Sequence, residues 1–125
     1  MAKYLWIGLG GALGAISRYV LGVWVYKRLG TGFPYGTFVI NMSGCFLIGL
    51  IVTILDFRTG MSSAWRFAIP IGFIGAYTTF STFEYESLQA AQAGQPGIAL
   101  LNIALSVVVG YLAVWVGMVV GKVVA

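Results

Sequence analysis

Charged side chains are scarce in this chain. Only 8% of its 125 residues are Asp, Glu, Lys or Arg, whereas 60% are hydrophobic, and a soluble domain is about a quarter charged. The composition therefore predicts a membrane protein. Because a bilayer core about 30 Å thick needs about 20 apolar residues per helix, the length allows four transmembrane helices in one all-α domain, residues 1–125, with no room for a soluble module.

Histidine is absent, and Cys45 is the only cysteine. Within one chain these absences exclude a disulfide framework, a His/Cys metal site and His-based catalysis. Cys45 lies inside an apolar run, which is typical of inert packing. No nucleophile with a neighbouring base is visible either, so we expect the chain not to be an enzyme.

Basic residues outnumber acidic ones by seven to three, which gives a net charge of +4. Most lie at the ends of hydrophobic runs, a distribution that suits lipid headgroups and not nucleic acid. With four spans, the face that holds both termini carries Lys3, Arg58, Arg66 and Lys122, and the opposite face carries Lys27 and Arg28. The positive-inside rule then gives only a weak preference for cytoplasmic termini. Such a weak bias is compatible with insertion in both orientations.

Four hydrophobic runs are separated by turn-rich loops. The predicted spans are about Tyr4–Tyr26, Thr37–Leu55, Trp65–Ala93 and Ile98–Gly121. The first apolar run is too long for a cleavable signal peptide and is expected to be the first span, and Ser62 or Ser63 is the expected cap of the third. The pairs with small-xxx-small spacing, which predict close helix packing, are Gly10 with Gly14 and Gly117 with Gly121.

Arg18 lies deep in the first span, where a charge costs at least about 2.5 kcal/mol. It either snorkels toward the end at Lys27 or has a functional or inter-helix role. We favour the second reading, because more than two helical turns separate Arg18 from Lys27.

Polar residues at i, i+4 spacing occur on the second and fourth spans. Thr37 and Asn41 share one helix face, and their hydroxyl and amide groups can donate hydrogen bonds to an anion. Asn102 and Ser106 form a similar pair, with Tyr111 further along. Each pair can either line an anion pathway or bond to a neighbouring helix.

The third span contains glycines and hydroxyl residues in the middle of its apolar run, at Gly72, Gly75 and 78–83. We expect a broken helix at mid-membrane, whose unsatisfied backbone groups must be buried in protein, bind an ion or line water. Beyond the break, helical spacing gives one stripe of Thr79, Thr82 and Glu86 and another of Phe80, Phe83 and Ser87. An aromatic stripe is more often packing, but phenylalanine ring edges are positive. Because both stripes lie beside a hydroxyl-rich break, we expect them to line an anion pore.

Three motifs carry a resemblance that covers essentially the whole chain. They are the stretches 10–18 (GGALGAISR), 36–41 (GTFVIN) and 72–83 (GFIGAYTTFSTF). In order, spacing and total length the sequence resembles the Fluc (CrcB) family of fluoride channels. The resemblance implies an antiparallel, dual-topology homodimer in the bacterial inner membrane, where the broken third helices of two chains cross. It also implies a structural sodium ion held by the backbone carbonyls of Gly75 and Thr78 from both chains.

The resemblance implies two fluoride pathways per dimer, lined by Asn41, Phe80 and Phe83. The residues that fall along the family's polar wall are Ser81, Thr82 and Glu86. From the second and fourth spans we add Thr37 and Ser106. On the fourth span the family's polar pore positions align with Ile103 and Val107, whereas Ser106 and Tyr111 are offset. Passive flow down its gradient would remove cytoplasmic fluoride and relieve its toxicity, with sodium acting structurally and electrostatically.

Two other functions fit a chain of this size. A small multidrug exporter needs a membrane-embedded carboxylate for proton coupling, and the first span has none, whereas Glu84 and Glu86 lie late in the third. A non-transporting assembly subunit is the second alternative. Flux from liposomes that contain only this protein separates it from a channel.

Overall fold

A computed structural model describes residues 1–125, all of which fold as helices, turns and short connections. Three helices are long and apolar enough to cross a membrane. They are α1 (Ala2–Leu29), α2 (Tyr35–Phe57) and α6 (Pro96–Val124). Each exceeds the 20 or so residues that a bilayer core requires, and each extends the predicted span by a few residues at its ends.

The ends of α1 and α2 follow the turn residues between them. After Lys27 and Arg28 in its last turn, α1 stops at Gly30, whose φ of 79° lies in the region that favours glycine. Pro34 precedes α2, where its fixed φ and missing N–H do not disturb the helix. The tight connection between these residues makes α1 and α2 neighbours.

The third helical region consists of short pieces. They are α3 (Ser63–Arg66), a π-helical segment (Phe67–Ile74), α4 (Gly75–Tyr77) and α5 (Phe80–Gln92). The side chain of Ser62 accepts a hydrogen bond from the Ala64 N–H, so of the two predicted caps, Ser62 is the one that caps this region. Pro70 lies inside the π-helical segment and has no N–H to donate, which favours a widened turn.

Two residues between α4 and α5 leave the helical conformation. Thr78 has φ −80° and ψ 157°, and Thr79 has φ −148° and ψ 114°, so both are extended. These two residues separate the ends of two helices inside one predicted span.

Glycines let the helices pack with backbone against backbone. A Cβ built on Gly10 or Gly14 would overlap a carbonyl oxygen of the π-helical segment, and one on Gly117 would overlap a carbonyl of α2. Close packing at both predicted glycine pairs is therefore confirmed, since Gly121 also lies directly against α2. In this fold α1 packs against the π-helical segment, and α6 packs against α2 and α5.

The outer surface is apolar. Only 21 of the 125 residues are buried within the chain, and large hydrophobic side chains are exposed along all the long helices. At the helix ends Arg28 lies over the ring of Trp24, and Lys3 lies over that of Tyr4. Aromatic and basic residues at the ends of an apolar surface are typical of a multi-pass membrane protein.

One ion pair ties the end of α2 to the third region. Arg66 contacts the Asp56 carboxylate at 2.8 Å and also donates to the carbonyl of Leu55. The last turn of α2 has no basic residue of its own, so Arg66 supplies the positive charge that favours a helix C-terminus.

Candidate functional site

The interruption between α4 and α5 is held by a side chain of α2. Asn41 Nδ2 donates to the Thr79 carbonyl at 2.9 Å, and the Thr79 N–H donates back to Asn41 Oδ1 at 2.8 Å. In a continuous helix that N–H would bond to the carbonyl of Gly75. The Asn41 amide thus replaces the helical partner of the Thr79 N–H and adds a donor to the Thr79 carbonyl.

A second contact from α2 holds the other side of the interruption. The hydroxyls of Ser43 and Tyr77 are 2.7 Å apart, and Ser43 also donates to the Ile40 carbonyl. Thr78 donates its hydroxyl to the Ile74 carbonyl at 3.1 Å. Both ends of the interruption are therefore bonded to α2 or back to their own helix, as buried backbone groups require.

Thr79 also caps α5. Its Oγ1 accepts from the Thr82 N–H at 3.2 Å and donates to the Thr82 hydroxyl at 3.0 Å. Threonine is a favoured N-cap because its oxygen satisfies one of the first free N–H groups of a helix. Every polar atom of Thr79 has a partner, so this residue is rigidly held.

A polar groove of about 1030 Å³ lies between α1, the start of α2 and α5. Arg18, Thr37, Thr79, Thr82 and Glu86 line it. Thr37 donates to Glu86 Oε1 at 2.9 Å, and Oε2 of the same carboxylate is buried without a hydrogen-bond partner. Since the only ion pair in the structure joins Arg66 and Asp56, Arg18 lines the groove without a carboxylate partner.

A smaller, mainly apolar pocket of about 390 Å³ lies beside the interruption. Asn41, Phe80, Phe83 and Ser106 line it together with Gly75 and Thr78. The Phe80 and Phe83 rings are 5.8 Å apart between centroids and tilted by 49°. Phe83 is 6% exposed, whereas Phe80 is 74% exposed and projects away from its own chain.

Thr79 is the single residue that lines both cavities. The Asn41 amide makes its two hydrogen bonds to the backbone of this residue. The two cavities therefore meet at Thr79, which Asn41 holds in place.

A buried hydrogen-bonded chain runs from α6 to α5 beside the pocket. Ser106 donates to Asn102 at 3.3 Å, Asn102 donates to Ser87 at 2.9 Å, and Ser87 donates to the Phe83 carbonyl at 2.8 Å. In this arrangement the Ser106 hydroxyl directs its proton at Asn102, and only its oxygen is left for the pocket.

The candidate residues from the sequence fall into three groups. Those in the polar groove are Arg18, Thr37, Thr82 and Glu86, and those in the apolar pocket are Asn41, Gly75, Thr78, Phe80, Phe83 and Ser106. Ser81 is exposed and lines neither cavity. The predicted stripe of Thr79, Thr82 and Glu86 is confirmed as one wall of the groove.

Sequence reasoning did not find the hydrogen bonds that join different helices at the site, including the two that hold the interruption. Thr79 was aligned on the polar stripe, but its pairing with Asn41 joins residues 38 positions apart. The Ser43–Tyr77 contact likewise spans 34 positions. No local pattern encodes such pairs, although the extended run of hydroxyl residues after Tyr77 is the signal that a side chain from another helix must satisfy the backbone there.

Comparison with known proteins gives one family. The family described as CrcB-like protein, Camphor Resistance (CrcB), matches residues 5–118. A protein of Acidobacterium capsulatum named fluoride-specific ion channel FluC is 68% identical over 120 residues, 96% of each chain. Proteins of the same name from Solibacter usitatus and Citrifermentans bemidjiense are 50% and 43% identical, over 92% and 98% of this chain and 94% and 98% of their own lengths.

Proposed function

Because this chain belongs to the CrcB family, whose members are ion channels and not enzymes, we propose that it conducts fluoride passively across a bacterial inner membrane. Export down the gradient would relieve fluoride toxicity in the cytoplasm. The observation that carries the proposal is the meeting of a polar groove and an aromatic pocket at Thr79. Together these cavities offer an anion the donors of the groove, then the Asn41 amide, and then the phenylalanine edges of the pocket.

The groove suits the entrance of the pathway. Arg18 supplies an unpaired positive charge that raises the local concentration of anions. The hydroxyls of Thr37 and Thr82 are donors that replace part of the hydration shell of a small, tightly hydrated anion. Glu86 opposes this attraction, but Thr37 donates to one of its oxygens and so offsets part of its charge.

The barrier at Thr79 suits selection. The Asn41 amide is the donor nearest the apolar pocket, and one of its two N–H groups is not committed to Thr79. Beyond it the pocket offers phenylalanine edges, whose hydrogens carry the positive end of the ring quadrupole. A larger or more weakly hydrated anion gains less from closely spaced donors, which favours fluoride over chloride.

An antiparallel homodimer is the assembly that we propose. Gly75 and Phe80 are exposed although both line the apolar pocket, so one chain does not close that pocket alone. A lone chain also leaves the extended residue Thr78 only half-buried, and lipid cannot satisfy its backbone. A two-fold partner covers the same surface on both copies, and the weak charge bias permits opposite orientations.

Backbone carbonyls at the interruption fit a structural sodium ion. The Thr79 N–H bonds to Asn41 and not to the Gly75 carbonyl, and extended Thr78 directs its own carbonyl out of the helix. Carbonyl oxygens are hard ligands that replace the water of an alkali cation. Gly75 and Thr78 of two chains would hold the ion. When bound it supplies a positive charge at the centre of the dimer, which favours anions nearby.

Fluoride efflux from proteoliposomes tests the proposed function. Vesicles loaded with potassium fluoride and containing only this protein should release fluoride to an ion-selective electrode once valinomycin carries the compensating potassium. Vesicles loaded with chloride should release far less of their anion, because the narrow, donor-lined pathway favours fluoride. Fluoride release no faster than from protein-free vesicles would contradict the proposal, and equal release of the two anions would remove its selectivity.

A further inference from the structure

A chain of three hydrogen bonds connects the two helices that flank the apolar pocket. Asn102 of α6, which is 2% exposed, lies at its centre. The ends of the chain, Phe83 and Ser106, both line the pocket, whereas Asn102 and Ser87 line neither cavity. A deeply buried amide is thus bonded directly to one pocket residue and, through Ser87, to the backbone of another.

Asn102 controls the conformation of Ser87. The Ser87 hydroxyl donates to the carbonyl of Phe83, four residues earlier in the same helix. Such a bond competes with the helical N–H for the carbonyl and often bends the helix. Because the Asn102 amide donates to the oxygen of Ser87 at 2.9 Å, the serine is held in the rotamer that makes this bond. A residue of α6 is therefore connected to the backbone of α5 at Phe83.

We propose that Asn102 is a positioning residue for the anion pathway, which holds Phe83 and Ser106 at a fixed separation across the apolar pocket. The inference rests on the proposed function, since it assigns the pocket to the passage of fluoride. The electrostatic effect of a phenylalanine edge depends on its orientation, so a small movement of α5 changes what the ring presents to an anion. Asn102 acts through Phe83 and Ser106 and does not contact the ion itself.

Two variants remove the connection from different sides. Asn102→Leu keeps a similar side-chain volume but has no hydrogen-bond donor. Ser87→Ala removes the hydroxyl between Asn102 and the Phe83 carbonyl, and alanine has the highest helix propensity. The control is Thr53→Val, which removes another buried hydroxyl between α2 and α6, and Thr53 lines neither cavity. Each variant is combined with 4-fluorophenylalanine at position 83, whose ¹⁹F resonance reports the surroundings of that ring. The same label at Phe57, near the end of α2, reports general changes.

We expect Asn102→Leu and Ser87→Ala to move the position-83 resonance in the same direction and to lower fluoride flux of the unlabelled protein roughly fivefold. Thr53→Val should leave both unchanged, and the Phe57 label should not respond to Asn102→Leu or Ser87→Ala. An unmoved position-83 resonance in both variants would overturn the inference, as would a moved resonance with full flux. Absence of flux in the unsubstituted protein would reject the proposed function, while the ¹⁹F measurement would still test the connection from Asn102 to Phe83.

Discussion

Asn41 makes both of its hydrogen bonds to the backbone of a single residue, Thr79. The sequence left two readings open for this amide, as an anion donor or as a bond between helices. In the structure Asn41 bonds to another helical region, as the second reading expects. One of its two N–H groups does not bond to Thr79, and Asn41 also lines the apolar pocket. Its proposed roles in the barrier and in holding the interruption are therefore physically linked.

Asn41→Asp tests this linkage, because the carboxylate keeps an acceptor for the Thr79 N–H but loses the donor to the Thr79 carbonyl. Two oxygens then face each other, and an anion meets a negative charge in a poorly screened site. We expect fluoride flux to fall more than tenfold and unfolding to become easier by about 1–3 kcal/mol. Efflux assays paired with size-exclusion chromatography check both effects. Full flux from an intact assembly would remove Asn41 from the pathway.

Phe83→Ile separates ring electrostatics from packing. Phe83 is almost fully buried and lines the apolar pocket, and isoleucine keeps an apolar side chain while it removes the positive ring edge. We expect fluoride flux to fall while the protein elutes at the same volume on size exclusion. Phe83→Met, which is also apolar and has no ring, is the matched variant and should lower flux as well. If either variant conducts as fast as the unsubstituted protein, Phe83 serves only in packing.

At the scale of elements, the contact between α1 and the π-helical segment depends on glycine. A Cβ on Gly10 would overlap the carbonyl of Ala68, whereas one on Gly8 meets nothing within 4 Å. Gly10→Ala should therefore force the two elements apart and lower the thermal stability, because backbone cannot yield as a flexible side chain does. Gly8→Ala, two residues away on the same helix, should be neutral or slightly stabilising. Thermal unfolding in detergent compares them, and equal midpoints would contradict this account.

The predictability of the elements follows from the range of the interactions that form them. Hydropathy and turn residues were enough to find α1, α2 and α6 to within a few residues, because lipid imposes a long apolar run on each. Glycines and threonines were also enough to predict an irregular third region. The π-helical segment around Pro70 was not predicted, because a widened turn depends on the fit of the backbone against α1.

One wall of the polar groove was predictable from the sequence, but the contacts between helices at the site were not. Helical spacing grouped Thr79, Thr82 and Glu86 correctly on one wall. It gave no indication that Thr37 would bond to Glu86, which lies 49 positions later. Hydrogen bonds between distant residues depend on how helices cross, and that crossing is decided by small residues in several helices at once.

At the scale of the whole molecule, the proposed antiparallel dimer requires chains in both orientations. Single cysteines placed near Met1 and Ala125, in a chain whose Cys45 is replaced by alanine, should react with a membrane-impermeant thiol reagent from both sides of the membrane. The reason is the weak difference in basic residues between the two faces. A cysteine near Gly94 serves as a control at the opposite end of the helices. Labelling of both termini from one side alone would contradict dual topology.

The meeting of the groove and the pocket at Thr79 has an electrical consequence for a fluoride-conducting assembly. Filled with salt solution, a groove of about 1030 Å³ has little resistance compared with the passage past one pair of hydrogen bonds. Most of the drop in membrane voltage would then fall across Asn41, Thr79 and the apolar pocket beyond them, instead of being spread over the full bilayer thickness. A fluoride ion would experience the field mainly within that part of the pathway, and the current would depend on the two hydrogen bonds at Thr79 and on the apolar lining beyond them.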